Sequence, residues 1–237
     1  SVGQGESLVM LHPNGHCIKD WYALDYIKQL ENHFHLILID SRGFGDSDKP
    51  HDASYYHPEL IATDTIAVLD FLGIEKAHCF GYSMGGRHAF GLMQYYSDRF
   101  KSFVIGGAHP YMTNQLLHSY TQLLRQGLPK LVEVFEKNFG PFPPGVKDAF
   151  LKNDLKALLA VNSRPPTDFT AALAKYTENV SFIVGEKDPV LKFVQQAQKS
   201  KEGVKINIVP NNNHMQLFFT AKVITAILVL SLLNRHC

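Results

Sequence analysis

The chain has 237 residues, of which 45% are hydrophobic and 19% charged, a balance that supplies a packed core and excludes a disordered or low-complexity protein. Its 23 basic and 22 acidic side chains leave a formal charge of +1, so the electrostatics point neither to nucleic acid nor to an acidic surface as partner. Cys17, Cys79 and Cys237 are odd in number and widely spaced, with no C-x-x-C. That pattern favours a reducing, cytoplasmic setting over a disulfide framework.

The opening residues SVGQGES lack the basic and apolar regions of a signal peptide. Apolar runs then predict six strands: SLVML (7–11), FHLILI (34–39), AHCFGY (77–82), SFVIGGA (102–108), VSFIVG (180–185) and KINIVP (205–210). Most are continuously apolar, as strands buried on both faces of a parallel sheet are. Helix-length segments fall between or after them, at 20–31, 58–72, 84–98, 188–200 and 216–233. Such alternation predicts a doubly wound α/β fold with a mostly parallel sheet. Within the last segment, VITAILVLSLL (223–233) is apolar throughout, but a membrane span needs about 20 such residues, so no stable span is expected.

One stretch breaks the alternation. Residues 109–179 hold helix-like sequence but no strand, cut by Pro129, Pro141, Pro143, Pro144, Pro165 and Pro166; prolines at this density predict short helices and turns. The expected organisation is therefore a core formed by 1–108 and 180–237 and a helical lid or cap formed by 109–179. An insertion leaving the carboxyl end of a strand can roof the crevice where α/β sheets bind ligands. Leu123, Leu124, Leu131, Phe135, Phe139, Phe142 and Phe150 could line such a roofed pocket or pack the roof onto the sheet.

The densest signal lies between the third strand and the third helix. Gly81-Tyr82-Ser83-Met84-Gly85 matches G-x-S-x-G, a sharp strand-to-helix turn that forces the serine into a strained conformation and exposes its hydroxyl. The flanking glycines leave room for strand and helix to approach closely.

With this turn in place, the chain resembles the α/β-hydrolase superfamily over nearly its whole length. GYSMGG is similar to the family's nucleophile turn, LHPNG (11–15) to its oxyanion loop, and DSRGFGDSD (40–48) to its D-x-R-G-x-G-x-S loop. ATDTIAVLDFLGIEKAHCFGYS (62–83) is similar to the helix and strand that lead into the nucleophile. The resemblance is to enol-lactonases, small-molecule esterases and cofactor-free haloperoxidases; the family usually has two further strands before the oxyanion strand. A six-stranded sheet with FHLILI at an uncovered edge is thus expected. An open edge invites a partner, here a second copy or an absent segment, with the apolar last helix as a further contact.

The resemblance also implies site residues. The family's chain order is serine, acid, histidine, which assigns Ser83 as nucleophile, Asp188 in VGEKDPV as acid and His214 in VPNNNHMQ as base. Asp188 before Pro189 also fits a helix start, and acids elsewhere on the sheet remain an alternative; His109 is the nearest rival to His214. Met84 supplies one oxyanion N–H. The family's usual His-Gly reads His12-Pro13-Asn14 here, and proline has no N–H, so Asn14 is the second donor. His12, as a loop-packing residue or a ligand contact, joins His109, Tyr82 and Phe135 as candidates around the pocket. Asp40, Arg42 and Asp64 resemble positions that brace the loops or pair with one another. Cys17, in the oxyanion loop and able to line the pocket, has no base beside it in sequence.

No H-E-x-x-H motif, Cys/His cluster or Asp-rich loop points to a metal, and no G-x-G-x-x-G precedes a helix, so no cofactor is expected. The implied reaction is acyl transfer to water through an acyl-enzyme, on a small or medium, uncharged, mainly apolar ester, lactone or thioester. Serine at the turn disfavours the family's epoxide hydrolase and haloalkane dehalogenase branches, which use aspartate there. Carbon-carbon hydrolysis, hydroxynitrile-lyase chemistry and a non-catalytic small-ligand receptor are the alternatives.

Overall fold

The computed structural model describes residues 1–112, 115–220, 223–224 and 227–228. Six strands form a single sheet: β1 (Glu6–Leu11), β2 (Phe34–Ile39), β3 (Ala77–Tyr82), β4 (Phe100–Gly106), β5 (Asn179–Gly185) and β6 (Lys205–Val209). Every pairing between them is parallel, in the order β2-β1-β3-β4-β5-β6. The chain direction across the sheet reverses at β1, which has β2 on one side and β3 on the other. A crevice at such a switch point is where open α/β sheets receive ligands.

The continuous apolar runs are explained by two cores. Alternate side chains of each strand point to opposite faces. Val9, Leu11, Cys79, Phe103, Ile105 and Phe182 pack one face, and Leu8, Met10, Phe80, Val104 and Ile183 pack the other. On the first lie α3 (Pro58–Phe71), α4 (Met84–Tyr95) and α10 (Leu191–Ser200); on the second lie α1 (Ile18–Ala23), α2 (Tyr26–Leu30) and α11 (His214–Phe218). The expected helix at 20–31 is two helices, because Asp25 turns left-handed at φ 60° between them. Of the predicted last helix, α11 is its described start; Val223, Ile224 and Ile227 are buried in the second core, and Cys237 lies outside the described residues. Among the described residues no helix is long and apolar enough to cross a membrane.

Two expectations need correction. The β2 edge is covered at one position: Val2 forms an antiparallel bridge with Leu36, its N–H donating to the Leu36 carbonyl at 3.1 Å and its carbonyl accepting from Leu36 at 2.7 Å. The insertion is also not all roof. It comprises α5 (Gln115–Leu124), α6 (Leu128–Phe139), α7 (Val146–Leu151), α8 (Leu155–Ser163) and α9 (Thr170–Lys175). Phe169, Ala172, Leu173 and Tyr176 belong to the sheet core, with Phe169 stacked on Phe90 of α4 at 6.1 Å. The apolar spacing of α9 is that of any core helix, so the proline density before it hid where the roof ends.

Loops at the carboxyl end of the sheet are tied together by one carboxylate. Asp40 accepts from the amides of Ile18 (2.7 Å) and Asp46 (2.9 Å), whereas Arg42 pairs in a two-point fork with Asp64 at 3.0 and 2.7 Å. Asp40 thus couples the segment after β1 to the loop after β2, and the three charges do not form one cluster. Asp40→Ala should cost about 1.5–3 kcal/mol, the usual worth of hydrogen bonds to a charged group, and lower the melting temperature by several degrees. Calorimetric melting within one degree of the wild type would remove this coupling role.

Candidate active site

Ser83 sits on the turn between β3 and α4 with φ 53° and ψ −109°, a conformation L-residues avoid. Two close approaches force it there. A Cβ on Gly81 would lie 2.2 Å from the Gly85 carbonyl oxygen, and one on Gly85 would lie 2.0 Å from that of Leu11. Only glycine lets α4 start directly against β3 and β1. The Ser83 amide donates to the Gly106 carbonyl on β4 at 2.7 Å, which fixes the turn against the neighbouring strand.

The other predicted residues arrive from the ends of β5 and β6. Asp188 follows β5 and is buried; its Oδ1 accepts from the Val190 amide at 3.0 Å, so it serves the local turn as well. His214 begins α11 after β6, where Asn213 caps the helix by accepting from the Gln216 amide at 2.9 Å. His214 Nδ1 lies 2.7 Å from Asp188 Oδ2, and its Nε2 lies 3.0 Å from Ser83 Oγ. With a carboxylate on Nδ1, the proton resides there and Nε2 is left to accept the serine hydroxyl proton. Burial opposes the charged imidazolium, but the charge and hydrogen bond of Asp188 outweigh it, and the pKa of His214 is raised. Tyr82 holds the same histidine from its backbone, donating to the His214 carbonyl at 2.7 Å.

Ser83, Asp188 and His214 open into one cavity of about 480 Å³, which Asn14, Tyr82, Met84, His109 and Phe135 also line. The Met84 N–H belongs to the first turn of α4, where amides have no intrahelical acceptor. Asn14 is held across the cavity by its side chain, whose Nδ2 donates to Asn162 Oδ1 at 2.8 Å. His109 faces the cavity with its Nδ1 unpartnered, and burial together with the Arg87 charge pushes its pKa down to about 4. Its ring lies 4.6 Å from that of Phe193, and it makes no hydrogen bond to Ser83 or Asp188, the partners of His214.

His12 does not line the cavity. It is wholly buried behind the loop; Nδ1–H donates to the Pro13 carbonyl at 2.8 Å, and Nε2 accepts from the Ser41 amide at 3.0 Å. Cys17 also stays off the cavity, standing at the start of α1 with its thiol pKa raised by burial and by Asp20. Of the predicted roof residues, Leu123, Phe135 and Phe139 line the cavity, while Leu124, Leu131, Phe142 and Phe150 pack into a cluster shared with Phe44, Tyr56, Ile61 and Met84. Sequence reasoning did not single out Arg87, His88, Asn162 or Arg164, all of which line the cavity. Arg87 and His88 directly follow GYSMGG and could have been found by that adjacency; Arg164 carries no local signal.

A family model described as "alpha/beta hydrolase fold" matches residues 6–168. Epoxide hydrolase 4 of Homo sapiens is 30% identical over 108 residues, which is 44% of this chain and 30% of the relative. Among the first curated relatives matched, the chain spans between 30% and 50% of their length. In structure, an esterase from Exiguobacterium antarcticum aligns with a TM-score of 0.83 at 20% identity, over 96% of this chain and 92% of that one. The enol-lactonase from Burkholderia xenovorans LB400 aligns with a TM-score of 0.82 at 18% identity, over 96% and 91%. At these identities the structural likeness establishes the fold.

The tight turn yields a direct expectation. Gly85→Ala must push α4 off β1 and should destabilise the protein by about 3 kcal/mol, at the upper end of overpacking. Denaturant unfolding would read this out, and a loss below about 1 kcal/mol would mean that the turn tolerates a Cβ.

Proposed function

The chain belongs to the α/β-hydrolase family, and we propose that it is a serine hydrolase that cleaves small or medium, mainly apolar esters, lactones or thioesters. The observation that carries this reading is the hydrogen-bonded series from Asp188 through His214 to Ser83, at 2.7 and 3.0 Å. A neutral imidazole so placed takes the proton as Ser83 Oγ attacks the carbonyl carbon. The amides of Met84 and Asn14 are the donors for the oxyanion that forms, and such donors typically account for a large part of the rate. His214 then returns the proton to the leaving oxygen or sulfur, and water repeats the sequence to release the acid from the acyl-enzyme. Helices α5 to α8 act as a lid, supplying Leu123, Phe135 and Phe139 to the cavity wall. Serine at the turn supports an acyl-enzyme over the aspartate chemistry of epoxide hydrolases, the name that several relatives bear.

A fluorophosphonate should label wild-type protein at Ser83, and Ser83→Ala should lose both the label and the hydrolysis of short aryl esters while keeping its melting temperature. A panel of esters, lactones and thioesters with product identification tests the substrate class; a protein that neither labels nor turns over any member would overturn the reading.

The pH profile follows from His214, which must be neutral to act as base. Its raised pKa places the midpoint of the acid limb of kcat/KM above the usual histidine value of 6.5; activity is full above that midpoint and is lost as pH falls through it. Asp188→Asn removes the charge and leaves burial, so the limb should move to lower pH while kcat falls by about 10⁴-fold. A wild-type limb centred below 6.5, or an unmoved limb in the variant, would remove Asp188 from the role of acid.

A further inference from the structure

The cavity has a second polar pole that the serine, histidine and aspartate do not use. Arg164 follows α8 and precedes Pro165 and Pro166, which hold it extended at φ −62° and ψ 148°. Its side chain lines the cavity with Nη1 buried and unpartnered, and among the described residues no carboxylate pairs with it. Burial lowers its pKa to about 10, so it stays cationic at neutral pH. His88 lines the same cavity from α4, is 7% exposed, and has neither ring nitrogen partnered. Burial, then the charge of Arg164 and that of Arg87, hold it neutral, with one N–H to give.

The nearby Arg87 is already engaged. Its guanidinium donates to the backbone carbonyls of His109, Tyr111 and Thr167 and lies over the Phe169 ring. It therefore adds positive field at this pole, with three of its five N–H groups given to backbone carbonyls. The Arg164 side chain as a whole is partly exposed, but its Nη1 is buried without a partner; such a donor is costly, and native interiors satisfy it.

We propose that Arg164 and His88 form a receptor for a carboxylate carried by the substrate, so that the enzyme acts on acyl compounds bearing a second, free carboxyl group. The sequence had suggested an uncharged substrate; this inference rests on the hydrolase reading above and narrows it. A carboxylate accepts from Arg164 Nη1 and from the His88 N–H, both charge-assisted, while the apolar wall holds the chain between the two ends.

The test compares 4-nitrophenyl monoesters of five- to eight-carbon dicarboxylic acids with the same compounds capped as neutral methyl esters. At one chain length the free acid should be preferred at least tenfold in kcat/KM, mostly through KM. Arg164→Gln should bring that ratio toward one, and Arg164→Lys should restore part of it. In parallel, calorimetry on Ser83→Ala should detect the matching dicarboxylate and not its diamide. Turnover without preference for the free acid at any length would overturn the receptor while leaving the hydrolase reading intact, as would an unchanged ratio in Arg164→Gln. Failure to turn over any ester would instead strike the hydrolase reading, and the calorimetry on Ser83→Ala would still decide whether the carboxylate binds. If the Arg164 variants do not fold, the wild-type ratio and the calorimetry decide.

Discussion

The first turn of α4 starts directly against the ends of β1 and β3, and the rest of the site depends on that close approach. With hydrogen alone at Gly81 and Gly85, α4 begins within contact of the Leu11 carbonyl. That contact leaves Ser83 no ordinary conformation, and the residue takes φ 53°. Strain of this kind costs about 1–3 kcal/mol and persists where the surroundings over-determine it. Here they do so through the Gly106 carbonyl behind Ser83 and a sheet buried on both faces. The outcome is a hydroxyl lifted above the sheet's carboxyl edge, with the first-turn amides of α4 directed to the same space.

A parallel sheet does the remaining assembly. Because every strand points the same way, residues just past β1, β3, β5 and β6 all emerge on one edge. Asn14, Ser83, Asp188 and His214 are such residues, far apart in the chain and together in the cavity. Each is held by a device of its own: Asn14 by Asn162, Asp188 by the Val190 amide, His214 by the Asn213 cap and the Tyr82 hydroxyl. Asn14, Asp188 and His214 are thus each oriented by a contact outside the serine–histidine–aspartate series.

This division explains which parts were legible in the sequence. Buried strands announce themselves as apolar runs, and the glycines around Ser83 report a steric demand that other residues cannot meet. Asp188 and His214 could be located because each lies a few residues past such a run. His12 could not be assigned in this way: facing the cavity or accepting from Ser41 behind it depends on a single side-chain torsion, and both are compatible with the same loop. Arg164 was invisible for a related reason. Its neighbours in sequence describe the end of a helix, whereas its cationic isolation is a property of the folded cavity. The edge of β2 was misread because a single bridge by Val2 leaves no periodic trace.

The same reasoning locates where selectivity can change without loss of the fold. Helices α5 to α8 supply the apolar wall and end at Arg164, while the core supplies the serine, histidine and aspartate. The stretch after Arg164 belongs to both parts. The Thr167 carbonyl receives Arg87 from α4, Phe169 packs on Phe90, and the Tyr176 hydroxyl donates to the Phe100 carbonyl at 3.0 Å. Removing the whole insertion would strip α4 of these contacts and expose one face of the helix that carries Ser83. An exchange of α5 to α8 that keeps Thr167 onward would leave that support in place. Chain variation before Arg164 can thus alter what the cavity admits, whereas variation after Thr167 acts on the turn that holds the serine.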